Sequence, residues 1–457
     1  MSLNWNTDLQ EKPLRTLTRF LVANGMRTPR FPTLSLGLLA LCLVRAVPTS
    51  AQDTIPTAPI VRQDPSSPAP DGSDLPEEMR GLWVVRDSLS TPQAVHQVVR
   101  TAVKYHLNAL FVQVRGRGDA LYNSPYEPRS EVLARQPKSF DPLEQIVVEG
   151  HQNGLQVHAW LNTYLTWSGS RAPYAWQHLW NTHRDWFACD RAGHCSCAAN
   201  DRVEGAFLQP SNPLVQQHLF NVFTDVASRY DVDGIHFDYC RYGGSDYDFS
   251  GSTLQRFRDF IAPQLPTDRI AVFDNRRKTD RLAYVHAFPR DWADWRRAQI
   301  TNLVARISQK VKEEKPWMQV SAAVFPNSKE AFAVRGQDWE GWLQNGYLDA
   351  VALMAYDRNT ERVLAQTRHA LAIAGDKQVY TGIGAWRLQA HDVAGKIIAL
   401  RQLGAAGVNL FSYGGVHNRP QYLDTLARGV FASRAAPPRM RWLPKRDPAK
   451  DEKLKSR

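Results

Sequence analysis

The chain has no glycine-rich phosphate turn after its first apolar run, no His-x-His pair in that run, and no heptad or internal repeat. The first absence argues against a doubly wound nucleotide-binding sheet, whose phosphates rest on such a turn. The second removes the usual opening of a metal-dependent barrel hydrolase. His158 and His236 lie on separate predicted strands, and each reads as a packed or hydrogen-bonded histidine before it reads as a ligand. No metal or cofactor is expected. Without heptads, nothing in the pattern sets an oligomeric state. Long apolar runs are missing too, since the one at 34–47 is short and broken by Arg45, too brief for a membrane span.

Charge of one sign is scarce where it would matter. The formal net charge is +11, but residues 1–51 carry +4 and residues 433–457 carry +6. The remainder is close to neutral, so no basic face for nucleic acid is implied. Arg27 and Arg30 precede the apolar run, and Thr49-Ser50-Ala51 follows it as a small-residue cleavage pattern. This predicts a secretory leader starting at Met26, with residues 1–25 an added extension, and hence a secreted or periplasmic protein of the cell envelope. Residues 52–76 hold six prolines among Ser, Asp and Thr, the composition of a disordered spacer. The folded domain is expected over 77–432. The basic tail at 433–457 reads as unstructured, with weak contact to anionic envelope polymers as one role for it.

Cysteine is sparse. Beyond Cys42 in the leader there are Cys189, Cys195, Cys197 and Cys240. An even set in an oxidising compartment favours disulfides, and a bridge from the 189–197 loop to Cys240 would pin a long insertion. Zinc held with His194 is the rival, but Cys-x-Cys is not the usual knuckle spacing.

What is present is a regular alternation of apolar strands and 3.6-period helices between about 80 and 430. Strands are predicted at 80–85, 109–115, 156–162, 234–239, 319–324, 350–356, 379–385 and 408–413. Helices are predicted at 91–105, 142–153, 213–229, 292–314, 338–345, 363–374 and 391–403. Eight such units predict a (β/α)8 TIM barrel with long βα loops, whose catalytic residues sit at the C-terminal ends of the strands.

The most informative string is Asp231-Val232-Asp233-Gly234-Ile235-His236-Phe237-Asp238-Tyr239. A short buried strand ends on an acid, and glycine-rich loop follows at 243–246. Alternation puts His236, Asp238 and Cys240 on one face. Other predicted strand ends supply Gln113 and Arg115 with Asp119 just beyond, then His158, Trp160 and Asn162, then Tyr356 and Asp357, Trp386 and Arg387, and Ser412 and Tyr413. Acids, amides and aromatics on one rim suit a carbohydrate. Aromatic faces stack on sugar C–H faces, and polar groups take the hydroxyls. Glycosidic cleavage requires one protonated and one ionised carboxyl group. Asp238 and Asp357 are the leading pair, with Asp119 and Glu127 as further acids.

Several motifs, in order, carry a family resemblance. They are Arg80-Gly81-Leu82-Trp83-Val84, Asn108 through Gln113-Val114-Arg115, Gly118-Asp119-Ala120-Leu121-Tyr122, and Ser124, Tyr126, Glu127, Pro128 and Ser130. His158-Ala159-Trp160-Leu161-Asn162, the 233–239 string, Asp294-Trp295-Arg296-Arg297 and Met354-Ala355-Tyr356-Asp357 continue it. The chain resembles the family 10-like glycosyl hydrolases, built around the DUF187 domain, which include a peptidoglycan glycosidase of the bacterial envelope. The resemblance runs from about Glu78 to Leu423 and implies a TIM barrel that hydrolyses envelope glycan. Chitinase-type barrels are similar in Asp-Gly-x-x-x-Asp and Met-x-Tyr-Asp, yet where they carry a Glu acid this chain has Cys240.

Asp238 is therefore expected to be the acid, its pKa raised by burial or by a neighbouring acid. Asp357 or Asp119 would be the second carboxylate. Arg115, His158, Trp160, Asn162, His236, Tyr239, Tyr356, Trp386 and Tyr413 are expected to bind substrate. A non-catalytic glycan-binding barrel is the alternative reading, because Cys240 stands where an acid was expected.

Overall fold

The computed structural model describes residues 75–195 and 203–446. The leader, most of the proline-rich segment, Cys197 and residues 447–457 lie outside them. Ten strands are β1 (Met79–Val84), β2 (Ala109–Arg115), β3 (Gln156–Asn162), β4 (Leu165–Trp167), β5 (Ala206–Phe207), β6 (Gly234–Asp238), β7 (Gln319–Val324), β8 (Ala350–Leu353), β9 (Gln378–Gly384) and β10 (Gly407–Phe411). Eight of them close a parallel barrel in the order β1-β2-β3-β6-β7-β8-β9-β10, while β4 and β5 pair antiparallel outside it. The TIM barrel expected from the periodicity is the fold.

Local chemistry explains the helical layer. Helices Pro92–Lys104, Pro142–Gln152 and Pro213–Arg229 open with proline in the first turn. The side chains of Thr91, Asp141 and Asn212 accept amide hydrogens at those starts. Proline fixes φ where no amide partner is needed, and each cap contributes about 1 kcal/mol. The strands sort their side chains by parity. Leu82, Val84, Leu110, Val112, Ile235 and Phe237 pack outward against helix residues such as Val95, Val98 and Leu219. Trp83, Phe111, Trp160, Ala323, Ala352 and Tyr380 fill the interior. Gly234 makes room there, since a Cβ would come within 2.4 Å of His158 Nδ1.

Two long insertions rise from the C-terminal rim. The β3–β6 insertion carries the β4–β5 hairpin, and the β6–β7 insertion carries helices Gly251–Ile261 and Thr267–Arg276. The second has its own apolar core, in which Phe249, Phe257 and Phe273 pack with Trp292 and Trp295. A disulfide joins Cys189 to Cys195 within the first insertion, while Cys240 is a buried free thiol. The disulfide expected among these cysteines is thus present, with its connectivity, left open by the sequence, local to the loop and not to Cys240.

At the opposite end the structure departs from expectation. Residues 433–446, read as unstructured, run across the N-terminal face of the barrel. Glu78 N and Asn108 Nδ2 donate to Ala436 O and Ala435 O at 2.9 and 3.0 Å. Trp442 Nε1 donates to Asp349 Oδ1 at 2.9 Å, and the Arg446 guanidinium covers the Trp317 ring at 4.5 Å. Basic composition concealed a segment held by backbone pairing and indole contacts.

Candidate active site

Asp238 is the last residue of β6 and only 6% exposed. The residue after it, Tyr239, adopts φ 47°, a left-handed conformation that non-glycine residues rarely hold. That turn ends the strand's alternation, so Cys240 joins the outer apolar layer instead of sharing the face of His236 and Asp238. It also aims Tyr239 N at Asp238 Oδ1, 2.6 Å away. Arg241 Nη1 reaches the same oxygen at 3.4 Å, so Oδ2 receives neither bond. Burial pushes the Asp238 pKa up, against the opposing pull of Arg241, the Tyr239 amide and the Trp160 indole.

Aromatic rings wall the mouth beside it. Phe411 is ringed by Trp83 at 5.8 Å, Tyr356 at 5.4 Å, Trp386 at 5.5 Å and Trp160 at 6.3 Å between centroids. Trp386 is 38% exposed and meets the edge of Tyr356 at 5.2 Å. Gly384 permits this fold-back, because a Cβ would lie 2.7 Å from the Trp386 ring. Tyr356 is near enough to Asp238 for the carboxylate's charge to add to burial in raising its pKa. Asp238, Tyr239, Trp160, Tyr356 and Trp386 are therefore brought together. Trp83 and Phe411 complete the wall, and neither was singled out from the sequence as substrate-binding.

Other expected site residues are taken up by structural pairings, although Asn162 stands beside Asp238 in the strand register. The pairing register slips between Gln113 and Arg115, and Arg115 ends in a closed pair with Glu127. Arg115 Nε is 2.9 Å from both Glu127 oxygens, and His218 Nε2 lies 3.1 Å from one of them. Burial works to raise the Glu127 pKa, yet Arg115 and His218 hold it down at about 2. Asp119 accepts from Arg117 N at 2.9 Å and from Ser130 Oγ at 2.5 Å, closing its own loop. Asn162 receives Trp160 Nε1 and Gln113 Nε2 and donates to Gly116 O at 2.7 Å, which fixes strand ends. Tyr413 packs in the outer layer and stacks on His417 at 4.5 Å.

The two histidines sit below the mouth. The Trp83 indole N–H donates to His236 Nε2 at 3.2 Å, so the proton lies on Nδ1, which faces Ser321 Oγ at 2.9 Å. His158 stacks on Phe111 at 4.5 Å. Burial drives the His236 pKa well below the usual value and that of His158 to about 4. Both are neutral packing groups in the barrel interior. Among the described residues, no group of three or more His, Cys, Asp or Glu side chains could hold a metal.

Asp357 follows a short run after β8 in which Ala355, Tyr356 and Asp357 each bond back two residues, at 2.8, 2.9 and 2.8 Å. Tyr356 turns toward Asp238, whereas Asp357 turns to its own loop. Its Oδ1 accepts Asn359 N at 2.8 Å and its Oδ2 accepts Arg362 Nη1 at 2.9 Å. The Asn359 amide leads in lowering its pKa, helped by Arg362 and Arg387 against a modest burial effect. Glu204, which no periodicity marked, is 8% exposed at the lip and lies 3.5 Å from Arg241 Nη2.

Residues 78–390 match the family described as glycosyl hydrolase-like 10. Glycosyl hydrolase DigH of Escherichia coli strain K12 is 26% identical over 381 residues, covering 73% of this chain and 76% of that protein. Glycosyl hydrolase YngK of Bacillus subtilis strain 168 is 24% identical over 312 residues, covering 61% of this chain and 54% of its length. The PgaB (BpsB) glycoside hydrolase domain from Bordetella bronchiseptica superposes with a TM-score of 0.56 at 18% identity, over 77% of this chain and 98% of that one. The β-amylase catalytic domain from Paenibacillus polymyxa gives 0.53 at 11% identity, over 80% and 100%. At these identities the structures speak to the fold.

Proposed function

This chain belongs to the glycosyl hydrolase-like 10 family, and on that premise we propose that it is an exported glycoside hydrolase cleaving peptidoglycan-like envelope glycan strands. The observation that carries the reading is a buried carboxyl at the end of β6, Asp238, whose pKa burial pushes up, under an aromatic-walled mouth. A leaving glycosidic oxygen needs a proton as the C–O bond breaks, and a raised pKa favours the protonated form that supplies it. In this reading Asp238 donates from Oδ2, and the rings of Trp386, Tyr356 and Phe411 stack against sugar faces.

Asp357 takes the second carboxylate role. It is partly exposed and stays ionised, as a nucleophile or water-activating base must. Asp119 also bonds both oxygens within its own loop, but it is buried where Asp357 is partly exposed, and it is the weaker choice. The leader-like pattern supports export, and the tail at 433–457, net +6, supplies the charge for weak contact with anionic envelope polymers.

The test is digestion of purified, peptide-free glycan strands, with chitin beside them and mass analysis of the new ends. Release of reducing-end fragments from the glycan strands supports the reading. Binding to the strands without turnover by wild type would favour a glycan-binding barrel instead, a reading drawn from Cys240 standing where chitinase-type barrels carry their acid.

A further inference from the structure

The end of β6 holds more charge than one acid requires. Arg241 is buried, and its two terminal nitrogens divide between two carboxylates, Nη1 to Asp238 Oδ1 at 3.4 Å and Nη2 to Glu204 Oε1 at 3.5 Å. Its guanidinium lies over the Tyr239 ring at 4.0 Å and the Phe325 ring at 5.1 Å. Two aromatic faces and two acids leave that cation little freedom to swing away. Glu204 reaches it from the β3–β6 insertion, one residue before the glycine that precedes β5. Its second oxygen, Oε2, is buried without a hydrogen-bond partner among the described residues.

An acid that must stay protonated is poorly served by a guanidinium 3.4 Å away. An opposite charge at that range favours the ionised form and lowers a carboxyl pKa by about one to three units. Glu204 supplies the counterweight, since its charge both occupies Arg241 and repels charge on Asp238.

We propose that Glu204 is a positioning residue for the reaction, which keeps Asp238 protonated by neutralising Arg241. The inference rests on the reading of Asp238 as the acid. The other ionisable groups facing this cluster are Tyr239 and Cys240 beside Asp238, Tyr356 beyond β8, and Arg335 from the helix after β7. The three tyrosine and cysteine groups are neutral near pH 7, because burial raises all of them. Arg335 adds positive charge near Glu204 and Arg241, which makes the counterweight more necessary.

The experiment is the pH dependence of kcat/KM on glycan strands for four enzymes: wild type, Glu204→Gln, Arg241→Gln and the double variant. The alkaline limb reports loss of the acid's proton. With Glu204→Gln, Arg241 is unopposed and the limb should move to lower pH by about one unit or more. With Arg241→Gln the cation is gone and Glu204 remains, so the limb should move to higher pH. The double variant should fall between them. Opposite shifts from the two single variants are a signature that a merely structural contact would not produce. If Glu204→Gln does not fold, the double variant is set against Arg241→Gln: a lower limb in the double variant supports the proposal, and an equal or higher limb overturns it. Unmoved limbs in folded single variants overturn it as well. Asp238→Asn separates the two ideas: full activity there sinks the acid assignment, whereas lost activity with unmoved limbs sinks only the role of Glu204.

Discussion

The ends of β6 and β8 look alike as sequence, each an apolar run leading to an aspartate beside a tyrosine, and they differ in almost every physical respect. At β6 the acid is the final strand residue, is 6% exposed, and has its pKa raised by burial. Beyond β8 the strand has already stopped at Leu353, and the acid sits four residues later in a turn. There an amide and a guanidinium bind the carboxylate and hold its pKa down. Motif spacing supplies carboxyl groups, but the point at which the strand stops decides which of them has its pKa raised.

Replacing Asp238 by Asn should break the comparison most severely. Glycan hydrolysis should fall by roughly 10²–10⁴-fold, the usual worth of a general acid. Stability should move the other way. A carboxyl whose pKa is raised by folding stabilises the protein only at low pH, and that contribution is lost as pH rises through the folded value. The variant's Tm should therefore equal or exceed that of wild type at pH 7, with the gap closing below about pH 3.9, the unfolded value.

Glu127 marks the structural extreme among the acids. Glu127→Ala would leave Arg115 buried and unpaired, at a cost of about 3–5 kcal/mol read from denaturant unfolding. Its folded pKa of about 2 lies below the unfolded value of about 4.3, so wild type should lose this stabilisation as pH falls between them.

Asp357→Asn sharpens the contrast. The amide can still accept the Asn359 N–H, so the fold should hold while turnover drops on the order of 10²-fold if the carboxylate is the ionised partner. Retained turnover would return Asp357 to a purely structural role. The smallest effect belongs to Trp386→Ala, expected to raise KM about two- to tenfold with little change in kcat, as loss of about 0.5–1.5 kcal/mol of ring contact implies.

Periodicity made the barrel legible because burial enforces it. Strands 109–115, 156–162 and 319–324 match β2, β3 and β7 to the residue. The site was less legible where backbone geometry interrupts that rule. Alternation fails at Tyr239 because its φ is positive, at Arg115 because the register slips, and after Leu353 because the strand gives way to tight turns. Asp238 was readable as a strand-end acid, and Trp160, Tyr356 and Trp386 as rim aromatics. Glu204 was not, since a loop residue meeting Arg241 from 37 positions away leaves no local pattern. The segment 433–446 misled by composition, its anchors being carbonyls, an indole and the Arg439 and Arg446 pairs with Glu77 and Asp231 rather than an apolar stripe.

That segment, paired with the start of β1, brings both ends of the described chain out beneath the barrel, with Glu77 bridged to Ala436. The described residues thus begin and end, at 75 and 446, on the side of the barrel away from Asp238 and Trp386. Among the described residues, the two boundaries of the folded body are therefore tied to one another at the face opposite the aromatic mouth.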